Sequence, residues 1–302
     1  RRMETVDVLL SRWSSKVREV LQELSMTRSS NYFSTASNPA AAFEFLIAKA
    51  LSILFQVPLR IEYKKSSSEV EPETVIWRGK AVYDESVKKY EAALHSPGGG
   101  PDILVFARGY NIIVEATLRY TESQWKEEVE PIFRHINVFL KESNSSPEMT
   151  FLLFITPQEV LEGTYSWIHA RSGEYNIAVI DVSCLKKIAH TSYFTPGLPH
   201  AKIQELFASL SRRLMGADLV SAYISSLHQE VSRWCSDVLV PQLDFFLSIK
   251  ALNILKRKNG LLPINKLIEE LSIDDEVKEY LLLSGLVPEV NKVKVLIRSK
   301  QK

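Results

Sequence analysis

The strongest constraint on the fold is a β-hairpin pattern in the middle of the chain. Two β-rich runs, residues 102–107 and 111–117, flank the short connection Arg108-Gly-Tyr110. Two more apolar runs follow at residues 150–155 and 177–182, and helical sequence separates them. Buried strands that alternate with helices belong to a sheet covered on both faces. The chain is therefore predicted to be an α/β protein with a mixed sheet flanked by helices.

Further elements are predicted on the N-terminal side of the hairpin and directly after it. Pro39 follows Asn38, which is a typical helix start, and the apolar spacing of the first segment is helical. Thr121-Glu-Ser-Gln124 resembles a capping box. The predicted elements are helices at residues 4–26, 40–55, 85–94 and 121–141, and strands at residues 59–63 and 74–83.

The chain is predicted to form two domains, because 302 residues exceed the usual size of one. The segment Thr195-Pro-Gly-Leu-Pro199 is the natural boundary, so residues 1–195 would hold the sheet and residues 196–302 a mainly helical DNA-binding or dimerisation unit. Two short helices and a β-like tail at residues 262–297 follow the order of a winged helix.

Composition excludes several classes of protein. An apolar fraction of 45% and a charged fraction of 24% are typical of a folded chain, and a net charge of +1 neither supports nor excludes nucleic acid as a partner. Cys184 and Cys235 lie far apart, which predicts core thiols rather than a disulfide or zinc site. No apolar run reaches the length of a membrane helix, so a cytoplasmic protein is expected.

The hairpin carries two candidate metal ligands, Asp102 and Glu115. Opposed residues of a hairpin lie about 5 Å apart, so the two carboxylates converge if the turn sets the right register. Such a pair can hold Mg²⁺, which activates a water and neutralises charge on a phosphodiester. The alternative is that Asp102 forms a turn and Glu115 faces solvent. However, Glu115 interrupts the apolar run 112–118, where a buried carboxylate needs a partner.

Three further candidates share one face of the helix after the hairpin: Gln124, Glu128 and His135. Each also has an ordinary explanation, because Gln124 can complete the capping box, Glu128 belongs to a charged run and His135 can be a simple helix histidine. Pro131 is expected to kink the helix between Glu128 and His135.

Glu44 is the last acidic candidate, on a helix whose other residues are nearly all apolar. It can bind a metal directly, hydrogen-bond to a metal-bound water or pair with Lys49, although five residues is a poor helical spacing for an ion pair. The Gly98-Gly-Gly100 loop before Asp102 lets the backbone approach a phosphate, and it is equally consistent with a flexible connection.

These residues resemble those of the PD-(D/E)XK nuclease superfamily. The resemblance is narrower to the AlwI-type branch of type IIS restriction and nicking endonucleases, and it covers roughly residues 40–140. The matching residues are Glu44, the glycine-rich segment that ends in Pro101-Asp102, Val114-Glu-Ala-Thr-Leu118, Gln124, Glu128 and Arg134-His135.

The resemblance implies a restriction-endonuclease-like fold and a magnesium-dependent acidic site. Glu44, Asp102, Glu115 and Glu128 would form that site, with His135 acting beside it, and the metal ligands would be Asp102, Glu115 and Glu44. The usual lysine of the superfamily is replaced by Thr117, and a polar residue at this position is normal in the AlwI-type branch. Gln124 or His135 would then orient the water or stabilise charge on the phosphate.

The predicted function is a magnesium-dependent endonuclease that cleaves double-stranded DNA, as a type IIS restriction or nicking enzyme or its cleavage subunit. A homodimer or a partner subunit is expected if both strands are cut. The basic clusters at residues 256–258 and 292–302 either read DNA or form a solvated surface. The alternatives are a structure-selective repair or recombination nuclease and a catalytically inactive DNA-binding or assembly subunit.

Overall fold

The computed structural model describes residues 15–27, 32–33, 36–63, 73–97, 100–118, 122–158 and 162–257. The helices are α1 (Ser15–Met26), α2 (Pro39–Phe55), α3 (Glu122–Ser143), α4 (Glu162–His169), α5 (Val182–Tyr193), α6 (His200–Gly216) and α7 (Val220–Arg257). The strands are β1 (Leu59–Ile61), β2 (Thr74–Trp77), β3 (Lys80–Asp84), β4 (Lys89–Leu94), β5 (Ile103–Ala107), β6 (Tyr110–Ala116), β7 (Thr150–Thr156) and β8 (Asn176–Asp181).

Within this part of the chain, six strands form the main sheet, in the order β1-β2-β5-β6-β7-β8. Strand β5 is antiparallel to both of its neighbours, whereas β6, β7 and β8 run parallel to one another. The predicted mixed sheet is therefore confirmed, and so is the predicted hairpin, which consists of β5 and β6. The two predicted buried strands that follow it are β7 and β8.

Helices cover both faces of this sheet. The ring of Phe55 at the end of α2 lies 6.5 Å from that of Tyr110. On the opposite face, the ring of Phe139 in α3 lies 6.5 Å from that of Phe106. Phe106 pairs with Asn111 and therefore points to the same face as Asn111, whereas Tyr110, the residue before Asn111 in β6, points to the other face. Strand β7 is buried along its whole length, as expected of a central strand covered on both sides.

Helix α2 forms as the sequence predicts. The side chain of Asn38 accepts a hydrogen bond from the backbone N–H of Ala41, and Pro39 begins the helix. Gln56 ends it in a left-handed conformation with φ of 54°. This helix carries Glu44, and its buried aliphatic and aromatic neighbours fix its position on the sheet.

The predicted helix at residues 85–94 is wrong. Strands β3 and β4 form a separate two-stranded sheet there, joined by a turn in which Lys88 has a φ of 52°. The predicted strand at residues 74–83 is correspondingly two strands, interrupted at Arg78 and Gly79. Both faces of the β3–β4 hairpin are largely exposed, so it lacks the alternation of apolar and polar residues that identifies most strands.

Helix α6, which follows the predicted domain boundary at residue 196, packs onto the same sheet. The ring of Phe207 lies 6.4 Å from that of Phe151 in β7. His200 lies between the hairpin and α2: its Nδ1 accepts from the N–H of Arg108, and its Nε2 lies 2.8 Å from the carbonyl of Phe55. The two-domain division stays a prediction, and the predicted winged helix at residues 262–297 lies outside the described residues.

Two further observations concern the cysteines and the helices. Cys184 and Cys235 are both buried and free, which confirms their prediction as core thiols.

Among the helices of the described residues, none combines the length and apolar character that crossing a membrane requires.

Burial of His190 predicts a pH-dependent stability. His190 is 1% exposed in α5, and its burial, with the nearby Lys186 acting in the same direction, lowers its pKa to about 3. As the pH falls, His190 is therefore protonated near pH 6.5 in the unfolded chain, but only near pH 3 in the folded chain. Between about pH 6.5 and pH 3, the free energy of unfolding should fall by up to about 1.4 kcal/mol per pH unit as the pH drops.

The measurement is urea unfolding at several pH values, for the wild type and for His190→Leu. The leucine variant should show a shallower loss of stability below pH 6.5, because it has no group to protonate. Equal slopes for the two proteins would show that His190 does not carry the effect.

Candidate active site

A cavity of about 290 Å³ opens beside the carboxyl end of β6. It draws its walls from α2, from the segment between β4 and β5, from the hairpin and from α3. The polar residues that line it include Glu44, His95, Ser96, Asp102, Glu115, Thr117 and His135. The structure thus brings together three of the four predicted carboxylates and the predicted histidine.

The register of the hairpin places Asp102 opposite Glu115. Ile103 pairs with Val114, so Asp102, which directly precedes β5, lies opposite Glu115 of β6. Asp102 Oδ2 also accepts a hydrogen bond of 3.1 Å from the backbone N–H of Ala116. Glu115 is only 7% exposed, so the alternative of a solvent-facing glutamate is wrong. The structure thus places the two residues opposite each other across the hairpin, and their role as metal ligands stays a prediction.

Glu44 is buried and held by three hydrogen bonds. Its Oε2 accepts from Trp77 Nε1 at 3.0 Å, from the Ser96 N–H at 2.9 Å and from Ser96 Oγ at 3.1 Å. Burial raises the pKa of Glu44, and these hydrogen bonds oppose the rise. Ser96 Oγ also lies 3.0 Å from the carbonyl of Asp102, so one serine links both acidic residues. Lys49, the alternative partner, instead lies 4.4 Å above the Phe45 ring.

Helix α3 brings His135 to the cavity. Burial lowers the pKa of His135, and the positive charges of Arg134 and Arg78 act in the same direction. Its Nδ1 is buried and has no hydrogen-bond partner among the residues that the structure describes. Helix α3 contains Pro131 and continues past it as one element. The side chains of Gln124 and Glu128 lie outside the described part of the chain, so their predicted roles stay predictions.

Arg78 is a site residue that the sequence analysis missed. It directly follows β2, and its backbone N–H donates a 3.1 Å hydrogen bond to the carbonyl of Asp102. Its side chain is buried, with 9% of the residue exposed, and burial lowers its pKa while the charges of Asp102 and Glu115 oppose that shift. The sequence offered no local signal for it, because the burial of β2 and the acidic neighbours that a buried guanidinium needs become evident only in the fold.

His95 and Ser96 were also missed. They precede the glycine-rich segment that leads to Asp102, and both line the cavity. The ring of His95 points its Nδ1 to within 2.7 Å of the Ser96 carbonyl. A histidine and a serine that precede three glycines, with only Pro97 between, could have been identified as candidates, because loops often carry binding residues. Gly98 and Gly99 lie outside the described residues.

A second cluster of polar side chains lies around Cys184 at the start of α5. Asp181 caps the helix by accepting a 2.8 Å hydrogen bond from the Cys184 N–H. His228 of α7 places its Nδ1 3.6 Å from Cys184 Sγ and its Nε2 3.4 Å from Asp181 Oδ2. Its two ring nitrogens contact different partners, which connects α7 to the sheet, and one ligand atom of each of the three residues lies within 4.8 Å of the others, a spacing that could hold a metal ion. The sequence did not suggest this cluster, because His228 is 44 residues away from Cys184.

The carboxylates of the main cavity are of the chemical type that binds magnesium, but among the described residues they do not form a group of three with ligand atoms within 4.8 Å of one another. Glu44, Asp102 and Glu115 offer carboxylate oxygens, and Mg²⁺ is usually bound by one or two carboxylates while it keeps several waters. A volume of about 290 Å³ leaves room for several such waters. The cavity is thus suited to a hydrated hard cation.

Comparison with known proteins finds a restriction endonuclease family and, among solved structures, a restriction endonuclease subunit. Residues 92–162 match the family model of the AlwI restriction endonuclease, which confirms the predicted resemblance to a restriction-type nuclease over that segment. The small subunit of the heterodimeric restriction endonuclease R.BspD6I is 16% identical, with a TM-score of 0.47, over 74% of this chain and 98% of that one. No curated protein sequence matches the chain.

Proposed function

We propose that the chain is a magnesium-dependent endonuclease that hydrolyses phosphodiester bonds of double-stranded DNA. The observation that carries the proposal is the cavity in which Asp102 lies opposite Glu115, with Glu44 on the adjoining wall. The match of residues 92–162 to a restriction endonuclease family supports the same reaction class. Within that class, we propose a type IIS restriction or nicking endonuclease, or its cleavage subunit.

In this proposal the three carboxylates have different roles at the metal ion. Asp102 and Glu115 hold the metal ion, and Glu44 either completes its ligands or orients one of its waters. A bound magnesium ion would supply an activated water and neutralise charge on the scissile phosphate. Hydrogen bonds from Trp77 and Ser96 fix the Glu44 carboxylate, so its position does not depend on the substrate.

His135 and the first turns of α3 supply the remaining polar groups. His135 presents an imidazole to the same cavity, where it can orient the attacking water or accept its proton. Gln124 and Glu128, on preceding turns of the helix, are proposed to act beside it. Thr117 adds a hydroxyl at the cavity but no charge, so it does not perform the role of a lysine at that position.

Thr117 also favours a second candidate function, an assembly subunit that binds DNA without cutting it. The two candidates differ in one measurable property: an endonuclease cleaves DNA as the wild-type chain, whereas an assembly subunit does not. For an active enzyme, cutting both strands with one centre per chain requires a second copy or a partner subunit. Duplex DNA and such a partner are therefore the proposed partners.

The test is to incubate the purified chain with duplex, nicked and branched DNA, with Mg²⁺ and with a chelator, and to map every cut. Magnesium-dependent cuts at a fixed distance from one duplex sequence are the expected result. Cuts that depend on a junction would indicate a structure-selective nuclease instead. DNA binding without cleavage, alone and with added candidate subunits, would favour the assembly subunit.

A further inference from the structure

We propose that Arg78 is a positioning residue of this site, whose guanidinium keeps a fixed positive charge beside Asp102 and Glu115. The inference rests on the proposed nuclease function and adds a residue to it. Its basis is the sheet register. Trp77 pairs with Ile103, so Arg78 follows opposite Asp102, and Asp102 in turn lies opposite Glu115. The three residues occupy one row across β2, β5 and β6.

The side chain of Arg78 lies on the same face of the sheet as α3. Trp77 points to the other face, because its ring stacks on Phe45 of α2 at 4.6 Å. Successive residues of a strand point to opposite faces, which sends Arg78 towards α3. The charge of Arg78 lowers the pKa of His135 on that helix, in agreement with this direction.

The guanidinium is held in place by backbone. A Cβ added to Gly100 would lie 1.8 Å from Arg78 Nη1, so the guanidinium packs directly against the backbone of Gly100 and a larger residue there would displace it. Nη1 also lies 3.5 Å from the carbonyl of Pro101, at the limit of a hydrogen bond. Because this packing buries the arginine, its charge lies next to the segment that leads to Asp102.

A fixed positive charge at this position has two opposite effects. It repels a divalent cation bound by Asp102 and Glu115, and therefore weakens metal binding. It also offsets the negative charge that accumulates on the phosphate and its attacking water in the transition state. Removing the charge should therefore tighten magnesium binding and slow cleavage at the same time. An arginine that only stabilises the fold would instead weaken both when it is replaced.

The test compares Arg78→Met and Arg78→Lys with the wild type. Calorimetric titration with magnesium chloride gives the metal affinity, and single-turnover cleavage at saturating Mg²⁺ gives the rate. Arg78→Met should bind Mg²⁺ about 3- to 10-fold more tightly and cleave about 100-fold more slowly. Arg78→Lys keeps the charge, so its magnesium affinity should match that of the wild type. Its cleavage rate should be at least about tenfold higher than that of Arg78→Met.

The matched control is Arg108→Met, which removes the same charge from the other end of the β5–β6 hairpin. Its side chain is 80% exposed and pairs with Glu73, so neither the metal affinity nor the rate should change.

Unchanged or weaker magnesium binding by a folded Arg78→Met protein, or cleavage at the wild-type rate, would overturn the inference. If the methionine variant does not fold, Arg78→Gln, with a shorter polar side chain, is titrated in its place. Failure of the wild type to cleave any DNA, alone and with added candidate subunits, would refute the proposed function, whereas the calorimetric comparison would still decide whether Arg78 opposes the metal. The two proposals can thus fail separately.

Discussion

Asp102→Asn and Glu115→Gln should each reduce magnesium-dependent DNA cleavage by at least about 1000-fold, which corresponds to roughly 4 kcal/mol of transition-state stabilisation. Both substitutions preserve the size of the side chain and remove the negative charge that a metal ligand needs. The amide introduced by Asp102→Asn would still offer an oxygen to the Ala116 N–H, so the start of β5 should keep its local hydrogen bond. The measurement is the single-turnover rate of cleavage of a duplex substrate.

Glu91→Gln is the matched control for these two variants. Glu91 is exposed on β4, so its replacement should leave the rate within a factor of about two. Folding, checked by circular dichroism, and DNA binding without metal should be retained in all three variants. Wild-type rates in both Asp102→Asn and Glu115→Gln would show that the cavity is not the catalytic centre.

Trp77→Ala should lower the free energy of unfolding by about 3–5 kcal/mol. Trp77 is fully buried, stacks on Phe45 and donates its indole N–H to Glu44. The substitution removes a large apolar side chain and also leaves the Glu44 carboxylate without one of its donors. Chemical denaturation followed by circular dichroism measures the loss.

Two companion variants separate these contributions. Trp77→Phe keeps an apolar ring against Phe45 but has no N–H, and losing the hydrogen bond to Glu44 should cost about 1–3 kcal/mol. Trp167→Ala removes an indole that is 43% exposed, and should cost less than about 1 kcal/mol. A loss for Trp77→Ala as small as that for Trp167→Ala would contradict the proposed role of Trp77 as the link between the core and the site.

The hairpin and its carboxylates could be predicted because the signals are local. The pattern from residue 102 to 117 fixes two strands and a short turn, and the turn length determines which residues face each other. Glu44 could be proposed as well, because one acidic residue on an otherwise apolar helix is unusual. Its partners, Trp77 and Ser96, could not, since they depend on how α2 rests on the sheet.

Arg78 could not be predicted from local pattern. Its position beside Asp102 arises because β2 and β5 are neighbours, and 25 residues separate Trp77 from Ile103 along the chain. Part of the intervening segment, residues 85–94, was incorrectly predicted as a helix. The turn and β4 contain many charged residues, as an exposed helix does. The pairing of Tyr83 with Tyr90 across the hairpin, which stabilises the strands, is visible only in three dimensions.

The position of the β3–β4 hairpin affects how this protein can diversify. The chain leaves the main sheet after β2 and returns to its neighbour β5, so the intervening ribbon begins and ends at nearly the same place. Insertions, deletions or whole-ribbon exchanges between Gly79 and Leu94 therefore leave the paired strands in register. The ribbon borders Arg78 at one end and Ser96 at the other. Evolution, or a protein engineer, can thus change what approaches the cavity while the carboxylates keep their places.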